Sequence, residues 1–292
     1  MHAKRSFLKT SAFVLATTLL ASAVDAKSFL WKATSEKGTF YMQGSVHLLK
    51  AGDYPLAPAI EEAYAKSNVL VLEADMKEML TPETQQLIME KAMLGGGQTL
   101  ENSLTPEVYG MLSEKLAEAG LPIAALQSFK PWFTAMTLVL TKMQAMGFDP
   151  SHGIDQYFNE KANTDGKQVI GLETAKFQIN LFDALAEGDQ NAYMNRMFRE
   201  LELFEVQLAD IIAAWKIGDG EKLGALMNES FKEYPELYES FVLKRNKDWA
   251  AKLDKMASKD KTPMVVVGAA HLPGKGGLLE LLKDKGYTLE QL

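Results

Sequence analysis

The pattern of apolar and polar positions divides this chain into strand-like runs near both ends and helical periodicity between them. Phe29-Leu30-Trp31-Lys32-Ala33 and Thr39-Phe40-Tyr41-Met42 flank Ser35-Glu36-Lys37-Gly38, which predicts a hairpin. Pro55 and Pro58 lead into Ala59 to Lys66, where Ile60, Ala63 and Tyr64 fall on one face of a proline-initiated helix. Val69-Leu70-Val71-Leu72 is apolar without interruption, the signature of a strand covered on both faces of a parallel sheet. Gln168-Val169-Ile170-Gly171-Leu172 and Met264-Val265-Val266-Val267 read the same way. From Thr81 to about Gly147 the period is helical, with N-cap signals at Thr81-Pro82-Glu83 and Thr105-Pro106-Glu107. A second, acidic helical stretch runs from about Ala175 to Ser258, punctuated by Gly188, Gly218-Asp219-Gly220 and Pro235. Leu278 to Lys285 forms a closing helix. The expectation is an α/β fold: a central mixed or parallel β-sheet covered by helices, with a mostly helical middle section inserted at approximately 81–165 and 175–258.

Each of the four apolar runs ends at an ionisable residue. The first histidine motif, Gly44-Ser45-Val46-His47, follows the return strand of the hairpin, and its echo Gly268-Ala269-Ala270-His271 follows the last strand. Glu73 and Glu173 follow the other two. Glycine without a Cβ allows a sharp exit from a strand, including positive φ. If the strands lie parallel and adjacent, His47, Glu73, Glu173 and His271 meet at their carboxyl edge, where open α/β sheets bind ligands. Two imidazoles and a carboxylate form a divalent-metal set with positions left for water. Such an ion acidifies its bound water and polarises a carbonyl. A second carboxylate then serves as general base or orients a ligand histidine. Without a metal, His47 itself is a candidate base. Glu73 and Glu173 also read as acids at helix N-termini. His152 reads as a loop residue. Ser45 lacks the surroundings of a hydrolase nucleophile.

Residues 1–26 stand apart from the fold. Lys4, Arg5 and Lys9 precede the apolar run Ala12 to Ala21, and Val24-Asp25-Ala26 fits a small-x-small cleavage site. This is the layout of a secretory signal, too short to span a bilayer with ease. Cleavage after Ala26 leaves a mature domain at 27–292, periplasmic or secreted, with no stable membrane span; an uncleaved N-terminal anchor is the alternative. Hydrophobic residues make up 47% of the chain, enough for a sizeable core. A net charge of −7 without basic clusters argues against nucleic acid as a partner. The absence of cysteine excludes disulfides, thiol nucleophiles and iron–sulfur ligation.

Several stretches together resemble the TraB/GumN family, which includes the animal Tiki proteins. They are Gly44-Ser45-Val46-His47-Leu48, Val69-Leu70-Val71-Leu72-Glu73, Lys130-Pro131-Trp132, Gly153-Ile154-Asp155, Gly171-Leu172-Glu173-Thr174, Arg245-Asn246 with Trp249, and Val267-Gly268-Ala269-Ala270-His271-Leu272. The resemblance implies a fold like that of erythromycin esterases and ChaN-like proteins. It maps the family's two Gly-x-x-His motifs and acidic residue onto His47, His271 and Glu73. Tiki-like members imply a metal-dependent peptidase using manganese or cobalt, with zinc possible, acting on a peptide or small-molecule substrate. GumN-like members lie near exopolysaccharide genes without an agreed reaction. Arg245 enters largely through this resemblance; physically it suits a carboxylate or an oxyanion, or a surface salt bridge with Asp248 or Glu239. The expected site is therefore His47, Glu73, His271, Glu173 and Arg245, with His47, Glu73 and His271 as metal ligands. The alternatives are a metal-independent, esterase-like hydrolase with His47 as base, or a non-enzymatic haem- or ligand-binding protein.

Overall fold

The computed structural model describes residues 27–186 and 188–292; the expected leader at 1–26 lies outside the described residues. The apolar runs become the strands of one six-stranded sheet: β1 (Leu30–Thr34), β2 (Thr39–Ser45), β3 (Val69–Ala74), β4 (Gln168–Glu173), β5 (Pro263–Gly268) and β6 (Thr288–Gln291). Their spatial order is β4-β3-β5-β2-β1-β6. β4, β3, β5 and β2 pair in parallel, whereas β1 is antiparallel to both β2 and β6. The expected mixed sheet is present, with the four strands that lead into the candidate residues side by side.

Burial explains which runs became central. Every residue of β5 is buried, and Val69 to Leu72 of β3 are buried too. Their valines and leucines have no polar face to offer water, so helices must cover both sides. The helix Lys244–Met256 covers with Trp249, Ala250 and Leu253, and the helix Ile154–Thr164 with Ile154, Phe158 and Ala162. β6 has no counterpart in the expectations. Thr288-Leu289-Glu290-Gln291 is short and mostly polar, giving no alternation long enough to read; it is held by pairing with β1. Beside it, the Ser28 N–H donates to Leu292 O at 2.6 Å.

The helical middle builds its own interior. In the helix Pro106–Glu118 the buried residues are Val108, Leu112 and Leu116, one turn apart on a single stripe. They pack with Leu100, Leu126, Leu138, Met194 and Phe198 in a cluster separate from the core under the sheet. Among the described residues no helix is long and apolar enough to cross a membrane.

Candidate active site at the carboxyl edge of the sheet

β2 and β5 are neighbours, with Gly44 opposite Val267 and Ser45 opposite Gly268, so the two Gly-x-x-His motifs leave the sheet together. Neither glycine uses positive φ, contrary to the expectation. Their role is close approach. A Cβ on Gly44 would lie 2.3 Å from the Phe29 ring. A Cβ on Gly268 would fall 3.2 Å from Glu73 Oε1, 3.4 Å from His47 Nε2 and 3.5 Å from His271 Cδ2. The bare face of Gly268 is thus the point on which three of the expected residues converge.

Arg245 holds the buried half of the site. Its Nε donates to Glu173 Oε1 at 2.9 Å, and its Nη2 to Glu173 Oε2 at 2.8 Å and Glu73 Oε2 at 2.6 Å. Its Nη1 donates to Phe241 O at 3.0 Å and faces His271 Nε2 at 3.3 Å. A guanidinium has five N–H donors, and these five contacts engage all of them. The side chain is 8% exposed and stacks on Trp249, with Cζ 4.6 Å from the ring centroid. Neither Asp248 nor Glu239, the neighbours in sequence, is its partner; the surface salt bridge weighed from sequence is replaced by a buried bridge between two strand ends. A π-helical turn, Glu239–Leu243, runs directly into the helix that carries Arg245 and supplies the Phe241 carbonyl. Such turns recur at functional sites because they re-aim the following residues.

His271 is fixed from both sides. Arg245 can only donate, so Nε2 accepts, and Nδ1–H then donates to Asn246 Oδ1 at 2.6 Å. Asn246 is oriented in turn by donating to the carbonyls of His271 and Gly276. The ring packs on Trp249 at 4.4 Å between centroids. Burial pushes the His271 pKa down to about 4, helped by the Arg245 charge and opposed by Glu73. Glu73 moves the other way from what burial alone would do. The positive charges of His271, His47 and Arg245, with the Gly268 N–H at 2.7 Å from Oε1, hold its carboxyl down to about 2. Because His271 is neutral above about pH 4, Arg245 and His47 carry that effect at neutral pH.

His47 differs from His271 in every respect. Its side chain is 53% exposed and its Nδ1 lies 3.1 Å from Asp155 Oδ1. Burial opposes its protonation, but the hydrogen bond and charge of Asp155, with the charge of Glu73, raise its pKa to about 9. Asp155 also accepts from Ser45 Oγ at 2.8 Å. Gly153 makes this approach possible: a Cβ there would lie 2.4 Å from His47 O, and the Ile154 N–H donates to Val46 O at 3.1 Å. Asp155 was outside the expected site. Its signal was the Gly153-Ile154-Asp155 run, quoted there only as part of a resemblance.

The remaining residues sort by place. Gln178, absent from the expectations, donates at 3.4 Å to both Glu73 and Glu173. Lys130 lies outside the site and pairs with Asp183 at 2.7 Å, pinning the end of the helix Ala175–Asp183 from which Gln178 reaches in. His152 sits in the short turn Pro150–His152, as a loop residue should. The helix starts are capped by other residues, the Asp75 carboxylate and the Thr174 hydroxyl, so Glu73 and Glu173 are left to Arg245.

The five expected residues, His47, Glu73, Glu173, Arg245 and His271, are therefore gathered at one sheet edge. A cavity of about 430 Å³ opens there, lined by His47, Glu73, Asp155, Gln178, Arg245 and His271 among others. The donor set does not fit an ion held by His47, Glu73 and His271 together. His271 Nε2 and Glu73 Oε2 both face Arg245, which already places a cation between them. Among the described residues no group of three or more His, Asp or Glu side chains is spaced to hold a metal.

The chain is 25% identical to "Uncharacterized protein YbaP" of Escherichia coli (strain K12), over 84% of this chain and 88% of that protein. It is also 25% identical to "Uncharacterized protein YbaP" of Shigella flexneri, over 83% of this chain and 87% of that protein. No solved structure matches the chain significantly. The model of the TraB/PrgY/gumN family matches residues 29–291, from the first strand to the last: the chain belongs to that family.

Proposed function

We propose that this protein is an exported hydrolase in which His47, held by Asp155, activates water for attack on a carbonyl in the cavity above Gly268. The observation that carries this reading is the division of labour between the two histidines. His47 is open, has Nε2 free towards the cavity, and is oriented through Nδ1 by a carboxylate. A base needs that arrangement, because the carboxylate fixes the tautomer and stabilises the imidazolium that forms. His271 is closed and spends both nitrogens on Asn246 and Arg245. It serves to orient Arg245, which holds Glu73 ionised and in place. With all its N–H groups engaged, Arg245 is a positioning residue.

The reading sets a pH signature. His47 takes up a proton from the water only after losing its own, so kcat/KM rises with pH up to about 9.

A second reading, a peptidase that needs manganese, cobalt or zinc, rests on the convergence of His47 Nε2 and Glu73 Oε1 at Gly268. It requires His271 to leave Arg245. One experiment separates the two. Protein stripped by chelator, and shown by elemental analysis to be metal-free, is assayed on ester and peptide panels, with and without each ion. Activity in the metal-free protein, lost in His47→Ala, is the expected result. Activity found only after adding an ion would replace the first reading by the second. Export is tested by intact mass: the chain recovered from the periplasm should begin at Lys27.

A further inference from the structure

A second cavity, of about 570 Å³, adjoins the first; Leu181 and Phe241 line both. Its far wall carries Tyr193, Arg196 and Arg199 from the helix Gln190–Lys216, and Tyr234 from the turn before Pro235. Arg196 is 15% exposed and lies between two rings, with Cζ 5.2 Å from the centroid of Tyr193 and 4.5 Å from that of Tyr234. Arg199 Nη2 donates to Tyr234 Oη at 3.2 Å.

These two guanidinium groups are treated unlike Arg245. The carboxylate nearest Arg196 is that of Glu200, 3.7 Å from Nε and itself 58% exposed. Among the described residues no carboxylate hydrogen-bonds to Arg196 or Arg199. Asp189, on the same wall, is occupied in capping its helix through Asn191 N and Ala192 N. Glu236, the other acid of the lining, lies in the first turn of the helix Pro235–Tyr238. Aromatic stacking fixes the plane of a guanidinium without using its N–H fork. A stacked arginine with free donors is built to take a planar or tetrahedral anion two bonds at a time. The apolar side chains of Leu181 and Phe241, which line both cavities, then stand between such an anion and His47.

We propose that this cavity is a subsite for an anionic group of the substrate, a carboxylate or a phosphate, attached to an apolar body that passes Leu181 and Phe241. The substrate class is thus an acid-bearing ester or amide, a deduction that rests on the hydrolase reading above; the anion site itself does not.

The test measures binding and needs no turnover. N-acetyl-L-phenylalanine, its neutral amide and phenyl phosphate are titrated into the mature protein by calorimetry. The acid should bind at least about tenfold more tightly than the amide, the worth of one charge-assisted hydrogen-bonded pair. Arg196→Gln should abolish that preference. Arg199→Gln, at an exposed position, should reduce it severalfold with the circular dichroism spectrum unchanged. His47→Ala should keep the preference, so a protein that binds anions but hydrolyses nothing would sink the hydrolase reading and leave the subsite standing. A tighter fit for phenyl phosphate than for the carboxylate assigns a phosphomonoester, and the reverse a carboxylic acid. Equal binding of acid and amide, or a preference that survives in both arginine variants, overturns the proposal.

Discussion

At the scale of single residues the site is a set of opposed ionisations, and each has a consequence in solution. Asp155→Asn removes the carboxylate that keeps His47 protonated, so the His47 pKa should fall from about 9, with Glu73 alone left to favour the charged form. Imidazole proton shifts followed by NMR check this; an unmoved titration would mean that Asp155 does not govern His47. Arg245→Met leaves the buried carboxylates of Glu73 and Glu173 without their cation. The expected loss is about 3–5 kcal/mol of stability, measured by urea unfolding. Stability should also pass through a maximum near pH 6.5. His271 is depressed to about 4, so the unfolded chain binds its proton first, and stability falls as the pH drops from 6.5 to 4. Glu73 continues the loss from about 4.5 down to 2. His47 is raised to about 9, so its contribution is complete below 6.5 and fades as the pH climbs through 9. A urea midpoint that stays flat between pH 6.5 and 4 would contradict the burial of a neutral His271. The histidines and Glu73 were legible in the sequence because each follows an apolar run. The partner of Arg245 was not, because chain proximity favours Asp248 and Glu239, and only pairing of β3 with β4 brings Glu73 and Glu173 to the same cation.

At the scale of elements, glycines set how closely the pieces meet. Gly153 lets the start of the helix Ile154–Thr164 touch the His47 backbone, which is what delivers Asp155. Gly153→Ala should therefore cost about 1–3 kcal/mol by overpacking and loosen the Asp155 contact. The readout is a combined fall in urea midpoint and in the His47 pKa; a fall in stability with an unchanged His47 titration would show that the helix shifts without carrying Asp155. Helix positions were read from sequence because proline and threonine caps mark them, and the structure starts helices at Pro82, Pro106 and Pro131. The π-helical turn at Glu239–Leu243 left no such mark. It depends on packing around Phe241 and Arg245 rather than on any local preference. β6 was missed for a related reason: pairing with β1, not its own pattern, makes it a strand.

At the scale of the whole molecule, the separate helical interior predicts uneven unfolding. Leu112→Ala removes a fully buried side chain from that cluster and should cost about 2–5 kcal/mol there. Hydrogen exchange should then speed up in the helices Pro106–Glu118 and Pro131–Ala145 before it changes in β3 and β5; uniform acceleration would show a single cooperative unit. The order of the strands has a further consequence, in time rather than in space. Of the four parallel strands β5 comes last in the chain, and it enters between β3 and β2, although β2 lies more than two hundred residues earlier. Pairings of such long sequence separation form slowly, because the loop must close before any contact rewards it. The helical cluster is already complete by Leu201, whereas the cavity above Gly268 cannot exist until His271 has been synthesised. A nascent chain therefore cannot assemble this group of residues until β5 and the turn after it have been made.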